Sequence, residues 1–251
     1  MRRVMMVAGL LAGVAAAAAA DDFKTTKKSC DKGNAGDCWL TAGMYRSGEG
    51  VSRNLGRAAK YFEKGCKAGH ARSCLELAGM HRSGELGSAD LTKAVELLGR
   101  ACTSGSGGGC AQLGSLHRDG EGVPKNLGRA AELFGQACET ESADGCGALG
   151  RMYLDGAPFP ADAARAAELF AKGCDGGDLE SCGALGMLRR RGAGVARDLQ
   201  QAAGLLAKAC EAGFQDACAE LGLAHERGEG TGKDLVRALE LYTGPARPML
   251  P

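Results

Sequence analysis

Apolar side chains recur along this chain at helical spacing, in short runs divided by polar and glycine-rich breaks. Cys74, Leu77, Ala78 and His81 stand at i, i+3, i+4 and i+7, the spacing of one face of a helix, here called A. That run stops at Gly84, because glycine enters the left-handed conformation that ends a helix without the clash a Cβ would bring. A short loop leads to Asp90, whose carboxylate suits the free amides at the start of a second helix, B. Leu91, Ala94, Leu98 and Cys102 form the stripe of helix B, which ends near Gly105.

The same unit returns every 36 residues. Gly48, Gly84, Gly120, Gly156, Gly192 and Gly228 end the A helices, and positions 54, 90, 126, 162, 198 and 234 are all Asn or Asp. Ala58, Ala94, Ala130, Ala166, Ala202 and Ala238 form a third series. Gly69, Gly105, Gly177 and Gly213 end the B helices, with Glu141 in the place of a glycine in one unit. A fixed period of this length predicts an all-α fold, an α/α superhelical solenoid in which each helix-turn-helix unit buries its apolar face against its neighbours. The expected organisation is a half-repeat cap at 21–34, then repeats at 35–70, 71–106, 107–142, 143–178, 179–214 and 215–251, the last with a short tail.

The twelve cysteines keep the same step, as Cys30, Cys66, Cys102, Cys138, Cys174 and Cys210, and as Cys38, Cys74, Cys110, Cys146, Cys182 and Cys218. Eight residues of straight helix rise about 12 Å, whereas a disulfide joins Cα atoms no more than about 7 Å apart. The chain must therefore turn back between the two cysteines of each pair, and glycine-containing stretches such as Lys67-Ala68-Gly69-His70 lie in that interval. Each bridge is expected to tie the end of a helix B to the start of the next helix A. Zinc is the weaker alternative, because structural zinc motifs place two to four residues between paired cysteines and seven intervene here.

Disulfides require an oxidising compartment, and the first twenty residues fit one. Met1-Arg2-Arg3 is basic, Val4 to Ala20 carries no charge, and Ala18-Ala19-Ala20 offers small residues for a signal peptidase, so cleavage is expected near Ala20. A retained anchor is disfavoured by the shortness of the stretch and its alanine content. Loss of Arg2 and Arg3 leaves 29 basic against 30 acidic residues, a balance that points away from nucleic acid. Aromatics make up only 4% of the chain while glycines number 41, so the core must be one of closely approaching backbones. The expected product is a monomer in the periplasm or outside the cell, with no cofactor.

Across residues 109–138 and 145–174 the unit reads A-C-x-x-L-G-x-x-Y/H-x-x-G-x-G-V-x-x-D-L-x-x-A-x-x-L-F-x-x-A-C, with departures in each copy. This resembles the Sel-one-like repeat, a relative of the tetratricopeptide repeat. With a C-x7-C pair in each unit and an export leader, the chain is similar to the Hcp-type cysteine-rich secreted family of Gram-negative bacteria. The resemblance implies two functions. One is a scaffold for a protein or peptide partner, or a cell-wall component. The other is a weak beta-lactamase that takes a beta-lactam or peptidoglycan fragment.

The residues offer little for the hydrolase. Ser29 and Lys32 form an S-x-x-K, but it spans Cys30 and has neither the S-D-N nor the K-T-G element that completes such a site. His70, His81, His117 and His225 are spread over four units, and His81, His117 and His225 share the position of Tyr45 and Tyr153, a packing position between helices. For the scaffold, the resemblance places the A helices on the concave side. One exposed A position reads Arg46, Arg82, Arg118, Leu154, Arg190 and Glu226, a broken ladder of guanidinium groups suited to carboxylates or to the dipole at a helix C-terminus. Trp39, the only tryptophan, is either an exposed anchor or a cover for the end of the core. Ala157-Pro158-Phe159-Pro160 replaces the usual Glu-Gly-Val loop and marks one stiffened turn.

Overall fold

A computed structural model describes residues 21–243, all of whose regular elements are α-helices. The leader expected at 1–20 and the end of the tail lie outside the described residues. The chain divides into two compact units at Lys125 and Asn126.

The first unit opens with α1, whose helical residues run over 21–31. It continues with α2 (Ala35–Ser47), α3 (Leu55–Lys67), α4 (Ala71–Ser83), α5 (Leu91–Thr103) and α6 (Gly107–Asp119). The second unit holds α7 (Leu127–Glu139), α8 (Ala143–Asp155), α9 (Ala163–Asp175), α10 (Leu179–Arg191), α11 (Leu199–Glu211), α12 (Gln215–Arg227) and α13 (Leu235–Thr243). Even-numbered helices from α2 to α12 are the A helices and odd-numbered ones from α3 to α13 the B helices. Within each unit consecutive helices pack on one another, and A helices also touch the next A, as α2 touches α4 and α10 touches α12. This is the layered packing of an α/α solenoid.

Local signals set the length of every helix. Asn54, Asp90, Asn126, Asp162 and Asp198 each accept from the amide three residues on, and Asp234 accepts from Arg237 at 2.9 Å. The A helices are capped the same way by Asn34, His70, Ser106 and Ser142, Asp178 accepts from the amide two residues on, and Phe214 has no capping side chain. At the other end Gly84 holds φ +74°, the left-handed turn that glycine adopts freely.

The core is thin and built on small residues. Ala58, Ala94, Ala130 and Ala166 have no exposed surface, and the larger side chain four positions on, such as Phe62, Leu98, Phe134 or Phe170, fills the space beside them. Close approach depends on glycine opposite that filler: a Cβ on Gly150 would lie 3.0 Å from the Phe170 ring and 3.3 Å from the carbonyl oxygen of Ala166. In the atypical loop Phe159 folds inward and stacks on Tyr153 at 4.1 Å between centroids, so the departure adds core rather than a distinct exposed face.

All six cysteine pairs are bonded across the B-to-A turn, Cys30 to Cys38, Cys66 to Cys74, Cys102 to Cys110, Cys138 to Cys146, Cys174 to Cys182 and Cys210 to Cys218. Their Cα atoms are 4.5 to 4.6 Å apart. No cysteine is free. On the loop-entropy model a ring this small contributes about 2.5 kcal/mol.

Two residues depart from what their repeat position demands. Glu141 sits at φ +60° where the other B-to-A turns have glycine, a conformation that costs a side-chain-bearing residue about 1 kcal/mol or more. Thr41 is fully buried with an unpartnered hydroxyl, at the position where Leu77, Leu113, Leu185 and Leu221 pack. Glu141→Gly and Thr41→Val are therefore each expected to raise stability by about 1 kcal/mol in urea titrations. A loss from Glu141→Gly would show that its side chain holds the turn, and a loss from Thr41→Val that the hydroxyl is satisfied.

Candidate binding surface on the A helices

The arginine ladder begins at the last turn of α2. Arg46 places Nη1 2.9 Å from Glu76 Oε2 on α4 and Nη2 2.9 Å from Glu85 Oε1 in the loop after it. The second unit repeats this clasp: Arg190 on α10 bonds Glu220 on α12, and its Nη1 lies 3.3 Å from Glu229 Oε2 in the following loop. In both cases the partners stand 30 and 39 residues further on, so each guanidinium ties one A helix to the next A helix and its loop.

The other rungs show what happens when those partners change. The positions 30 and 39 residues beyond Arg82 are Gln112 and Glu121, and Arg82 is exposed with no hydrogen bond or ion pair among the described residues. Those beyond Leu154 are Ala184 and Ala193, so an arginine there would face no carboxylate. Arg118 turns to its neighbour, with Nε 2.8 Å and Nη2 2.9 Å from the two oxygens of Asp119, and this fork holds the Asp119 carboxyl below the usual carboxylate range. The ladder is thus not a uniform row of open cations. Arg46 and Arg190 are spent on internal carboxylates, and Arg82 is the rung left open. Spacing at 36 residues alone does not reveal Glu76, Glu85, Glu220 and Glu229; reading offsets of 30 and 39 would have found them.

Trp39 is half-buried, with the Arg72 guanidinium 4.6 Å from its ring centroid and the His70 ring at 6.2 Å. Beside it Leu40 is exposed. These residues and Arg82 lie on the A helices of the first unit. In the second unit Met187 and Arg191 on α10, Asp216, Glu220 and Leu223 on α12, and Tyr242 on α13 line an open groove of about 450 Å³.

The residues considered for catalysis have structural partners. Ser29 Oγ donates to the Asp37 carboxylate, which ties α1 to α2. At the Tyr/His position, the backbone carbonyls of His81, Tyr153 and His225 accept the N–H groups of Asp90, Asp162 and Asp234, each at 2.9 Å, and so clasp the A-to-B loop. Tyr45 and Tyr153 lie beneath guanidinium groups of the following B helix, Arg57 at 5.7 Å and Arg165 at 5.0 Å.

The sequence matches the model of the Sel1 repeat six times, over residues 38–70, 71–106, 108–139, 143–178, 179–214 and 215–243. A comparison with curated protein sequences found no match. Among solved structures, the chain is similar to a protective antigen present in uropathogenic Escherichia coli strains, described as displaying an SLR fold, with 23% identity and a TM-score of 0.80. That match covers 88% of this chain and 47% of the antigen, so the chain spans about half its length. A Sel1 repeat protein from Oxalobacter formigenes is 23% identical with a TM-score of 0.74, over 84% of this chain and 86% of that one. The cysteine-rich protein B of Helicobacter pylori is 30% identical over 53% of this chain and 96% of its own, with a TM-score of 0.44.

The two clasps differ in burial, which sets their strength. Side-chain exposure is 12% for Arg190 and 16% for Glu220, against 38% for Arg46 and 33% for Glu76. Double-mutant cycles with Arg190→Met and Glu220→Gln should give a coupling of about 1–2 kcal/mol, and the Arg46 and Glu76 cycle less than about 1 kcal/mol. Equal couplings would overturn the assignment of strength to burial.

Proposed function

The chain belongs to the Sel1 repeat family, and from that premise we propose that it is a scaffold holding a segment of a partner protein against the exposed sides of its A helices. Sel1 repeat proteins generally bind protein partners. One observation carries the assignment of the face: positions that build the core keep their character from unit to unit, while the exposed A positions do not. In the first unit they include the apolar Leu40 beside Trp39 and the open cation Arg82, and in the second a mixed groove that combines Met187 and Leu223 with Arg191 and Asp216. A surface whose chemistry changes along a constant backbone suits recognition of an irregular polymer such as a polypeptide.

Arg82 is the anchor in the first unit. Its free guanidinium has the fork geometry for a carboxylate of the partner, and Trp39 with Leu40 supplies apolar contact area. The protein acts in the periplasm or outside the cell after cleavage near Ala20, and the six disulfides support that compartment because reducing cytosol does not preserve them. Ser29 Oγ, the hydroxyl of the S-x-x-K, is tied to Asp37 between α1 and α2.

Photo-reactive residues placed at 82, at 223 and, on the exposed side of a B helix, at 132 test the face. In extracts of the native periplasm or culture medium, the same partner should crosslink from 82 and 223 but not from 132. Arg82→Glu introduced alongside the probe at 223 should cut that yield about tenfold, the scale of one charge-assisted bond. Equal labelling from all three positions, or a yield indifferent to Arg82→Glu, would overturn the reading.

A further inference from the structure

Repeat five breaks its own pattern at three positions that meet in one cleft. The Tyr/His position of the A helix, occupied by Tyr45, His81, His117, Tyr153 and His225 elsewhere, is Arg189. The cation that opens the facing B helix, Arg57, Lys93, Arg129, Arg165 and Arg237 elsewhere, is Gln201. Three residues further on, where Glu96, Glu132, Glu168 and Glu240 stand in four units and Lys60 in one, the residue is Gly204. The cation has moved from helix B to helix A, and the carboxylate has gone.

In three of the other units that carboxylate answers the cation within the helix: Lys93 bonds Glu96 at 2.7 Å, Arg129 bonds Glu132 at 2.7 Å and Arg237 bonds Glu240 at 2.8 Å. Nothing replaces it in repeat five. Arg189 makes no side-chain hydrogen bond or ion pair among the described residues, and its Nε is buried without a partner. It lines an open cleft of about 390 Å³ between α9, α10 and α11, together with Gln201, Gly204 and Lys208. The apolar wall is Leu185, Leu205 and Ala171, and Asp175 is the one acidic residue in the lining. Lys208 is also free of ion pairs, so two cations face one carboxylate and the cleft is net positive. A Cβ at Gly204 would meet nothing within 4 Å, which shows that the space vacated by the missing glutamate is open.

We infer that this cleft is a binding site for a carboxylate supplied by another molecule, with Arg189 as its fork, Lys208 as a second positive charge and the Gln201 amide as a further donor. The ligand class follows from the repeat itself, because the group absent from this unit is the one the others carry. A carboxylate also matches the planar, bidentate donor geometry of a guanidinium. The site uses none of the A-helix surface residues assigned to the partner above and stands or falls independently of them.

Nuclear magnetic resonance titration of the full oxidised chain tests it. The probes are N-acetylglycine, which presents a chain-terminal carboxylate, the α-amide of N-acetylglutamate, which presents a side-chain one, and neutral N-acetylglycinamide. Saturable shifts of the Arg189 Nε–H and Gln201 amide signals are expected with the two acids and absent with the neutral amide; the tighter acid identifies the source. Gly204→Glu restores the internal carboxylate and removes a glycine from a helix interior, so it should raise the melting temperature while weakening both acids at least tenfold. Arg189→Tyr, which restores the residue of other units, should weaken them equally. The inference is overturned if neither acid saturates, if the neutral amide shifts the same signals as strongly, if inorganic phosphate binds ten times more tightly than either acid, or if Gly204→Glu binds as the parent does.

Discussion

A bond between two sulfur atoms at every B-to-A turn is the constraint on which the rest of this structure hangs. With aromatics scarce and alanine and glycine lining the helix contacts, one repeat buries little apolar surface and could not persist alone. The disulfide supplements burial where it is least effective, at the junction between repeats. It also holds the last turn of one helix and the first of the next at a separation of 4.5 to 4.6 Å between Cα atoms. Close contact across the joint, as where a Cβ on Gly109 would lie 3.1 Å from the amide nitrogen of Cys102, then follows from a geometry the bridges already favour.

Polar interactions follow a different logic. The clasp of Arg46 to Glu76 and Glu85 recurs as that of Arg190 to Glu220 and Glu229, yet it is missing where the downstream positions are Ala184 and Ala193 and the upstream residue is Leu154. The side chains of this network are matched in sets of three across a repeat junction, so a single column of the repeat pattern does not describe them. Internal saturation and availability for a ligand are alternatives at the same position. Arg82 is open where Gln112 stands in the place of Glu76 and Glu121 makes no bond to it, and Arg189 where Gly204 stands in the place of a glutamate.

This explains what could be read from the chain and what could not. Helix starts at Asn54 and Asp90, helix ends at Gly84, the anomaly at Glu141 and the pairing of the cysteines were legible because each depends on the backbone within a few residues. The caps on the A helices were missed since His70, Ser106 and Asp178 differ in type while doing one job. The state of each arginine was missed for a deeper reason: it depends on residues 30 and 39 positions away, offsets that the 36-residue period conceals. Arg189 carries no signal of its own in the period, because its column is tyrosine or histidine in every other unit.

The two frameworks respond differently to gain or loss of a whole period. Excision of residues 71–106 would leave Cys66 eight positions before Cys110, with the covalent joint intact and no thiol orphaned. The same excision would bring Arg46 against Gln112 and Glu121 in place of Glu76 and Glu85, the set that leaves Arg82 without a bond. Duplication and deletion of cassettes are therefore invisible to the sulfur bridges but not to the charges. The cysteines would accept any unit as a neighbour, whereas each ion-pair clasp fits only a unit that carries the two glutamates.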